Sequence, residues 1–469
     1  MTTWPLKFRE LSSGEILFAD DAGGFFKSDD SFLDRYVTDQ LTERDGAFLR
    51  EGGHAFDTKF DLPWTSFAYR WSRRQSKQQQ LSYVILVPTL RCNLACGYCQ
   101  VSRAPESARG FDWTTDTLNS VLAFLDGIEG PDLKVEFQGG EPLLRVDLLE
   151  QVRDFCRARF AQSQFVVCTN LQNLGPREWA FLEADDTFIS TSLDGDRLTH
   201  ERQRTHDTDH TDAFFSNLEE AVRRFAPGKI SALPTIDVAN PPDFDALLDN
   251  FERYGIRSVY LRPINHQGFA RKLKQGDDVL SRWNALHSKF IDMLIARNQE
   301  TGSFMEEYYF SQCLKRVLRL GTDNHVDIRN PNFFASDYLV IDHDGCLYPT
   351  DEARMLSRIG RIDLSIGDIA TGIETDKVDV LNASSVNNFD PDCIHCAYQP
   401  FCGTDVVDDV SRYGRIDMPR ADTWFCGRHT TVFDKVFEVL YRKDQAARSS
   451  VAQWSGVANW GDHMVPVHA

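Results

Sequence analysis

Between residues 83 and about 300, short apolar runs rich in β-branched and aromatic residues alternate with stretches whose apolar positions recur at helical spacing. The pattern predicts strands over 83–89, 133–138, 164–169, 187–193, 229–235 and 256–262. It predicts amphipathic helices near 114–126, 145–160, 212–225, 243–254 and 278–297. Such alternation builds a parallel sheet with crossover helices, the α/β class. Six units make a partial (β/α)6 TIM barrel whose working end lies at the carboxyl ends of the strands.

The flanks read differently. Residues 1–70 form a small α+β module, with strand candidates Leu6–Leu11, Glu15–Ala19 and Phe25–Lys27 separated by Ser12-Ser13-Gly14 and by 20–24. Helical patterns follow near 30–40 and 43–50, the first carrying Phe32, Tyr36, Val37 and Leu41. Thr42 and Asp45 have the spacing of a capping box, with Asp in place of Glu or Gln. Three strands followed by helices resembles the winged-helix recognition element of peptide-modifying systems, which captures a leader peptide by strand addition. The alternative is a plain layer packed on the main domain. Polar residues 72–80 serve as a linker to the barrel, 80–300. Beyond 300 the alternation stops, and Asp337–Asp351 reads as a hairpin turning at Asp344-Gly345. A third region covers 301–447. The tail 448–469, with Trp454, Trp460 and His463, shows no period, and its aromatics suggest either docking on the body or covering the barrel mouth.

A chain of 469 residues suggests two or three domains, and 42% hydrophobic with 26% charged content suits a soluble protein. A net charge of −19 argues against a grip on nucleic acid or an anionic membrane and favours a basic or amide-rich partner. No apolar run is long enough to span a bilayer or resembles a signal peptide, so a cytoplasmic location is expected. Eleven clustered cysteines then read as metal ligands rather than a disulfide framework.

Cys92, Cys96 and Cys99, spaced C-x3-C-x2-C on a loop leaving the first strand, can reach three corners of one cubic iron–sulfur cluster. A [4Fe–4S] cluster normally takes four thiolates, so three leave one iron open for chemistry. Zinc or buried free thiols are the alternatives, and zinc lacks a fourth ligand within the loop. The other strands also end in polar motifs: Gln138-Gly139-Gly140-Glu141-Pro142, Thr169-Asn170, Ser192-Leu193-Asp194-Gly195 and Arg262-Pro263-Ile264. Residues 205–212 carry metal-ligand types at close spacing but read better as a solvated connection. Cys156 and Cys168 are expected in the core.

The cysteine loop after a first strand, joined to Gly-Gly-Glu-Pro after a second, resembles the radical S-adenosylmethionine (SAM) enzymes, and within them the branch that modifies peptides and proteins. The resemblance implies that Cys92, Cys96 and Cys99 hold a SAM-binding cluster and that Tyr98 lies against adenine. It implies SAM contacts from Gln138, Gly139, Gly140, Glu141, Asn170, Ser192, Asp194, Arg204, Arg262 and Ile264, with Gly139, Gly140 and Glu141 at the methionine end. Cys393, Cys396, Cys402 and Cys426 resemble the SPASM/twitch-like cysteine-rich extension of that branch, which in full form carries seven cysteines and two auxiliary clusters. Here Thr350 and Val406 stand where the resemblance leads one to expect cysteines, and none lies in the window upstream of Gly345 where the motif begins, so the inner auxiliary cluster is expected to lose its ligands. The expectation is two [4Fe–4S] clusters, one with three cysteine ligands and one with four; a zinc ribbon competes for the latter. Cys313 and Cys346 are left over, each a candidate buried thiol, with Cys346 alternatively lining the emptied site. Asp351 follows Thr350, where some relatives carry an acidic base; the alternative is an exposed hairpin aspartate.

Phe8-Arg9-Glu10-Leu11, Gly14-Glu15-Ile16-Leu17 and Cys99-Gln100-Val101-Ser102-Arg103 make the chain similar to the His-Xaa-Ser system radical SAM maturases. That implies a ribosomally made precursor peptide with His-Xaa-Ser repeats, an electron donor such as flavodoxin or ferredoxin, and a second radical SAM protein as partner. The implied reaction generates a 5′-deoxyadenosyl radical that crosslinks, oxidises or epimerises the peptide. An anaerobic sulfatase maturase type of enzyme and a non-catalytic peptide-binding scaffold are the alternatives.

Overall fold

Tyr83–Thr89 is apolar on both faces, and parallel pairing on both edges is what such a strand requires. In the computed structural model, which describes residues 1–74, 80–265, 268–272, 276–319, 328–383, 385–457 and 460–468, it is flanked by parallel Asp132–Gly139 and by Tyr338–Ile341. From Asp132–Gly139 the sheet continues through Gln162–Cys168, Thr187–Thr191, Ile230–Ala232 and Ser258–Val259, all parallel and in chain order, to a short edge at Glu306–Glu307. This is the expected partial barrel. Its other side runs from Tyr338–Ile341 into antiparallel Cys346–Tyr348, Gly367–Asp368 and Gly372–Ile373.

The last two barrel strands are shorter than the sequence pattern predicts. Each breaks, and its second piece forms a separate parallel pair, Thr235–Ile236 with Arg262–Pro263. Pro234 has no N–H to give the ladder, although its carbonyl accepts from Arg262 N at 3.1 Å. An unexpected helix, Pro176–Glu183, joins the third and fourth strands; proline opens it and Glu178 accepts from the Gly175 N–H at 2.9 Å. Most of the expected loop 205–212 is the first turn of helix Thr208–Arg224. Asp207 caps it, accepting from His210 N at 2.8 Å and lying 2.7 Å from His210 Nδ1. Asp207 and His210 are thus spent on the cap, while Asp212 pairs with Arg197 and His206 Nε2 lies 3.2 Å from Ala95 O.

At the N-terminus, Leu6–Glu10, Ile16–Asp20 and Phe25–Ser28 form an antiparallel meander, followed by helices Asp30–Val37, Glu43–Glu51 and Leu62–Arg74. The third helix occupies the start of the expected linker; 75–79 lie outside the described residues. Strand alternation divides the faces. Ile16, Phe18 and Phe26 pack with Phe32 and Leu49 in a small core of their own. Leu17, Ala19 and Phe25 face the main core. Phe25 meets Phe437 edge-on at 5.2 Å, and Arg9 and Lys7 reach Asp434 and Gln399. The tail is not patternless either: Gln445–Ser455 is a helix whose buried Trp454 donates to Met305 O at 2.7 Å. Replacing Phe25 with Ala should cost about 3–4 kcal/mol. Chemical denaturation would measure the loss, and hydrogen exchange should quicken first in residues 1–60.

Candidate functional site

The carboxyl ends of the parallel strands enclose a cavity of about 240 Å³. Cys92, Cys96 and Cys99 line it together with Tyr98, Gln138, Gly139, Gly140, Asn170, Ser192, Arg204, Arg262, Ile264 and Asp351. Glu141 and Asp194, also expected as ligand contacts, stand behind the wall.

Two glycines fix how the cysteine loop meets the second strand. Gly139 sits at φ +131°, and a Cβ there would fall 2.1 Å from Thr89 O. At Gly140 a Cβ would fall 2.2 Å from Arg91 O and 2.5 Å from Leu90 O. Glycine is therefore demanded by the chain's own backbone, whatever ligand approaches the other side. Glu141 N donates to Arg91 O at 2.8 Å, while its carboxylate accepts from Asn170 N at 2.8 Å and Leu143 N at 3.1 Å. Glu141 thus latches the second strand end to the third. Burial pushes its carboxyl up to about 7, against the pull of those two N–H groups.

Tyr98 and Asp194 form a second latch. The Tyr98 hydroxyl donates to Asp194 Oδ2 and accepts from Arg204 at 2.5 Å; Asp194 Oδ1 accepts from Thr235 N at 3.0 Å. Arg204 lies on a turn of π-helical pitch, Glu201–Thr205, which aims its guanidinium inward. Burial would lower its pKa, but Tyr98, Cys96 and Asp194 more than offset that and raise it. A permanent positive charge therefore stands against the cysteine loop. Burial pushes the Cys92 thiol up to about 12, with Glu141 adding to the rise, and raises Cys96 despite Arg204. Thiols so placed ionise against a bound cation, and Asn170 Nδ2 already points at Cys92 Sγ at 3.7 Å. The donor set fits an iron–sulfur cluster.

Asp351 begins helix Asp351–Arg358, capped by Thr350, whose hydroxyl accepts from Ala353 N at 3.0 Å. It is no exposed hairpin residue: its side chain is 13% exposed, lines the cavity and pairs with Arg354 at 2.7 Å. Cys168 is not a core residue either, unlike fully buried Cys156. It lines the cavity, its thiol donating to Glu136 at 3.3 Å, and Glu136 also accepts from Tyr83 and from Gln138 at 2.6 Å. The signal for this polar group was the alternation of Lys134, Glu136 and Gln138 with Leu133, Val135 and Phe137.

In the C-terminal region Cys393, Cys396, Cys402 and Cys426 are electrostatic neighbours of one another. Burial pushes Cys393 up to about 12. Four Zn–S bonds of about 2.3 Å would bring sulfurs to about 3.8 Å apart. Among the described residues no three of these sulfurs lie mutually within 4.8 Å, and the same is true of Cys92, Cys96 and Cys99. Val406, at one missing-ligand position, belongs instead to an apolar cluster with Phe334, Ala353, Leu356, Leu364 and Val410. Cys313 is buried, and Cys346 is half-buried beside Asp344.

Residues 86–261, which hold these strand-end motifs, match the family described as the Radical SAM superfamily. That family implies SAM and a [4Fe–4S] cluster as cofactors. Among curated relatives, the GTP 3′,8-cyclase of Mycobacterium ulcerans is 29% identical over 202 residues, 41% of this chain and 54% of that protein. The chain spans 39% and 54% of the first two curated relatives it matches. Among solved structures, anSMEcpe with bound AdoMet and a Cp18Cys peptide superposes at a TM-score of 0.59 and 16% identity, covering 76% of this chain and 97% of that one. SuiB of Streptococcus suis bound to precursor peptide SuiA gives 0.50 and 13%, covering 88% and 97%. These likenesses are of fold. No helix among the described residues is long and apolar enough to cross a membrane.

Gly140→Ala should push the cysteine loop off its backbone contact and lower iron content after reconstitution, read by iron and sulfide assay. Glu141 has its own pH signature. Its folded pKa of about 7 exceeds the ordinary 4.5, so the folded state holds the extra proton between these values. Stability of the metal-free chain should therefore fall as pH rises from about 4.5 to about 7, and Glu141→Gln should flatten that slope in urea titrations.

Proposed function

We propose that this chain is a radical SAM enzyme that modifies a ribosomally made peptide. The observation that carries the reading is the meeting of three cysteine thiols and the Gly139–Gly140 strip at one cavity over parallel strand ends. Cys92, Cys96 and Cys99 would hold the cluster, and Gly139, Gly140, Asn170, Ser192, Arg204 and Ile264 are the candidate SAM contacts. When bound, the cluster and SAM supply a 5′-deoxyadenosyl radical that abstracts a substrate hydrogen atom. Arg204 contributes fixed positive charge for a carboxylate or thiolate partner, and the barrel wall keeps water from the reacting centre. Asp351 is the candidate base, and its Arg354 partner holds the carboxylate in orientation.

Support for a peptide substrate comes from the solved structures of similar fold, named as complexes with the Cp18Cys peptide and with precursor peptide SuiA. The sequence likeness to the His-Xaa-Ser maturases narrows the candidate to a precursor with such repeats. Cys393, Cys396, Cys402 and Cys426, whose thiols are electrostatic neighbours of one another, are the candidate ligands of an auxiliary four-cysteine [4Fe–4S] cluster. The apolar cluster around Val406 accords with loss of the inner cluster, and hence with a reading away from the seven-cysteine sulfatase maturase type.

Anaerobic incubation with SAM and reductant should release 5′-deoxyadenosine. The Cys92, Cys96 and Cys99 to Ala variant should release none, which would also separate an enzyme from a binding scaffold. With a synthetic precursor carrying His-Xaa-Ser repeats, mass spectrometry should show loss of two hydrogens for crosslinking or oxidation, or unchanged mass with altered chirality for epimerisation. Asp351→Asn should keep SAM cleavage and lower peptide product at least about tenfold, as removal of a proton acceptor does.

A further inference from the structure

The edge of strand Phe25–Ser28 is not bare. Lys27 N donates to Pro466 O at 3.0 Å, and His468 N donates back to Lys27 O at 2.8 Å. A short parallel bridge joins Lys27 and Val467. Ser28 Oγ donates to His468 O at 3.0 Å, and Tyr441 donates to Pro466 O at 3.0 Å. Almost all of this is main-chain recognition, open to any extended peptide. Val467 is 54% exposed, so its side chain is not read.

One side chain is read. The His468 ring stacks on Phe48 at 4.5 Å and 11°, meets Phe32 edge-on at 5.0 Å, and places Nε2 2.6 Å from Asp45 Oδ1. Arg35 and Thr42 hold the Asp45 carboxyl well below the usual carboxylate range, so it is ionised and Nε2–H donates. The pocket does not depend on the imidazole for its shape. Asp45 closes the capping box with Thr42, accepting its N–H at 2.8 Å, and is held by Arg35 at 2.8 Å. Phe26 packs edge-on against both Phe32 and Phe48, at 5.4 Å and 5.1 Å.

We propose that Phe32, Phe48 and Asp45, beside the Phe25–Ser28 edge, form an imidazole-reading docking site for an extended, histidine-bearing peptide, and that His468 is its internal occupant. A tethered occupant competes at an effective concentration in the millimolar range. An incoming peptide must therefore present the same histidine and add contacts along the edge. Only the identity of the natural partner as the substrate peptide rests on the catalytic reading above.

The probe is a fluorescein-labelled peptide with the sequence of residues 460–469, titrated by anisotropy without SAM or reductant. Full-length His468→Ala, and the chain lacking 466–469, should bind it at least about tenfold more tightly than the natural chain. The same peptide with Ala in place of His468 should bind at least about tenfold more weakly to both. Equal binding by the natural and His468→Ala chains, or equal binding of the two peptides, would overturn the proposal. His468→Ala keeps the whole backbone, so its result stands if the shortened chain does not fold. A chain that fails to cleave SAM still reports here, and one that ignores the histidine still reports in the cleavage assay.

Discussion

The structure depends on a contact between two stretches of bare backbone. Gly139 and Gly140 lie so close to Thr89, Leu90 and Arg91 that no side chain fits between them. This sets where the cysteine loop departs relative to the second strand. Glu141 carries the constraint to the third strand through Asn170, and Tyr98 with Asp194 carries it to the segment at Thr235. The loop that brings three thiols together is thus positioned by main chain and by buried hydrogen bonds rather than by packing of large side chains. Arg204 completes the arrangement electrostatically. It is the cation that makes a buried tyrosine hydroxyl, carboxylate and thiol tolerable side by side.

A different logic governs the C-terminal region. Where the longer cysteine-rich extensions would place further thiolates, this chain has a helix cap at Thr350 and an apolar residue at Val406. Metal ligation and hydrophobic packing are alternative ways of holding two helices together. Here helices Asp351–Arg358 and Val406–Tyr413 are joined by Ala353, Leu356, Val407 and Val410. One consequence is that the Asp351 end of the cavity is given its shape by apolar packing.

How much was legible in the sequence follows from the same physics. The barrel strands were clear because runs such as Tyr83–Thr89 are apolar on both faces, and the motifs were clear because they fall at strand ends. The breaks at Pro234 and the helix Pro176–Glu183 were obscured: a proline within an apolar run and a short eight-residue helix both give weak periodicity. Cys168 was misread because an apolar strand does not announce which face lines the barrel interior. Only its register beside Glu136 and Ser190 shows that. The seat of His468 was hidden for another reason. Nothing local in Val465-Pro466-Val467-His468 foretells a partner more than four hundred residues away at Asp45.

The pairing of Tyr338–Ile341 with the first barrel strand bears on how the chain is made. As synthesis proceeds, Tyr83–Thr89 has an open flank until residues 338–341 emerge, long after its other neighbour is in place. An apolar strand edge left waiting is a hazard for misassociation, and such a late, distant closure is slow. The nascent protein should accordingly lean on chaperones. Versions cut short before residue 338 should be prone to aggregate rather than persist as independent barrels.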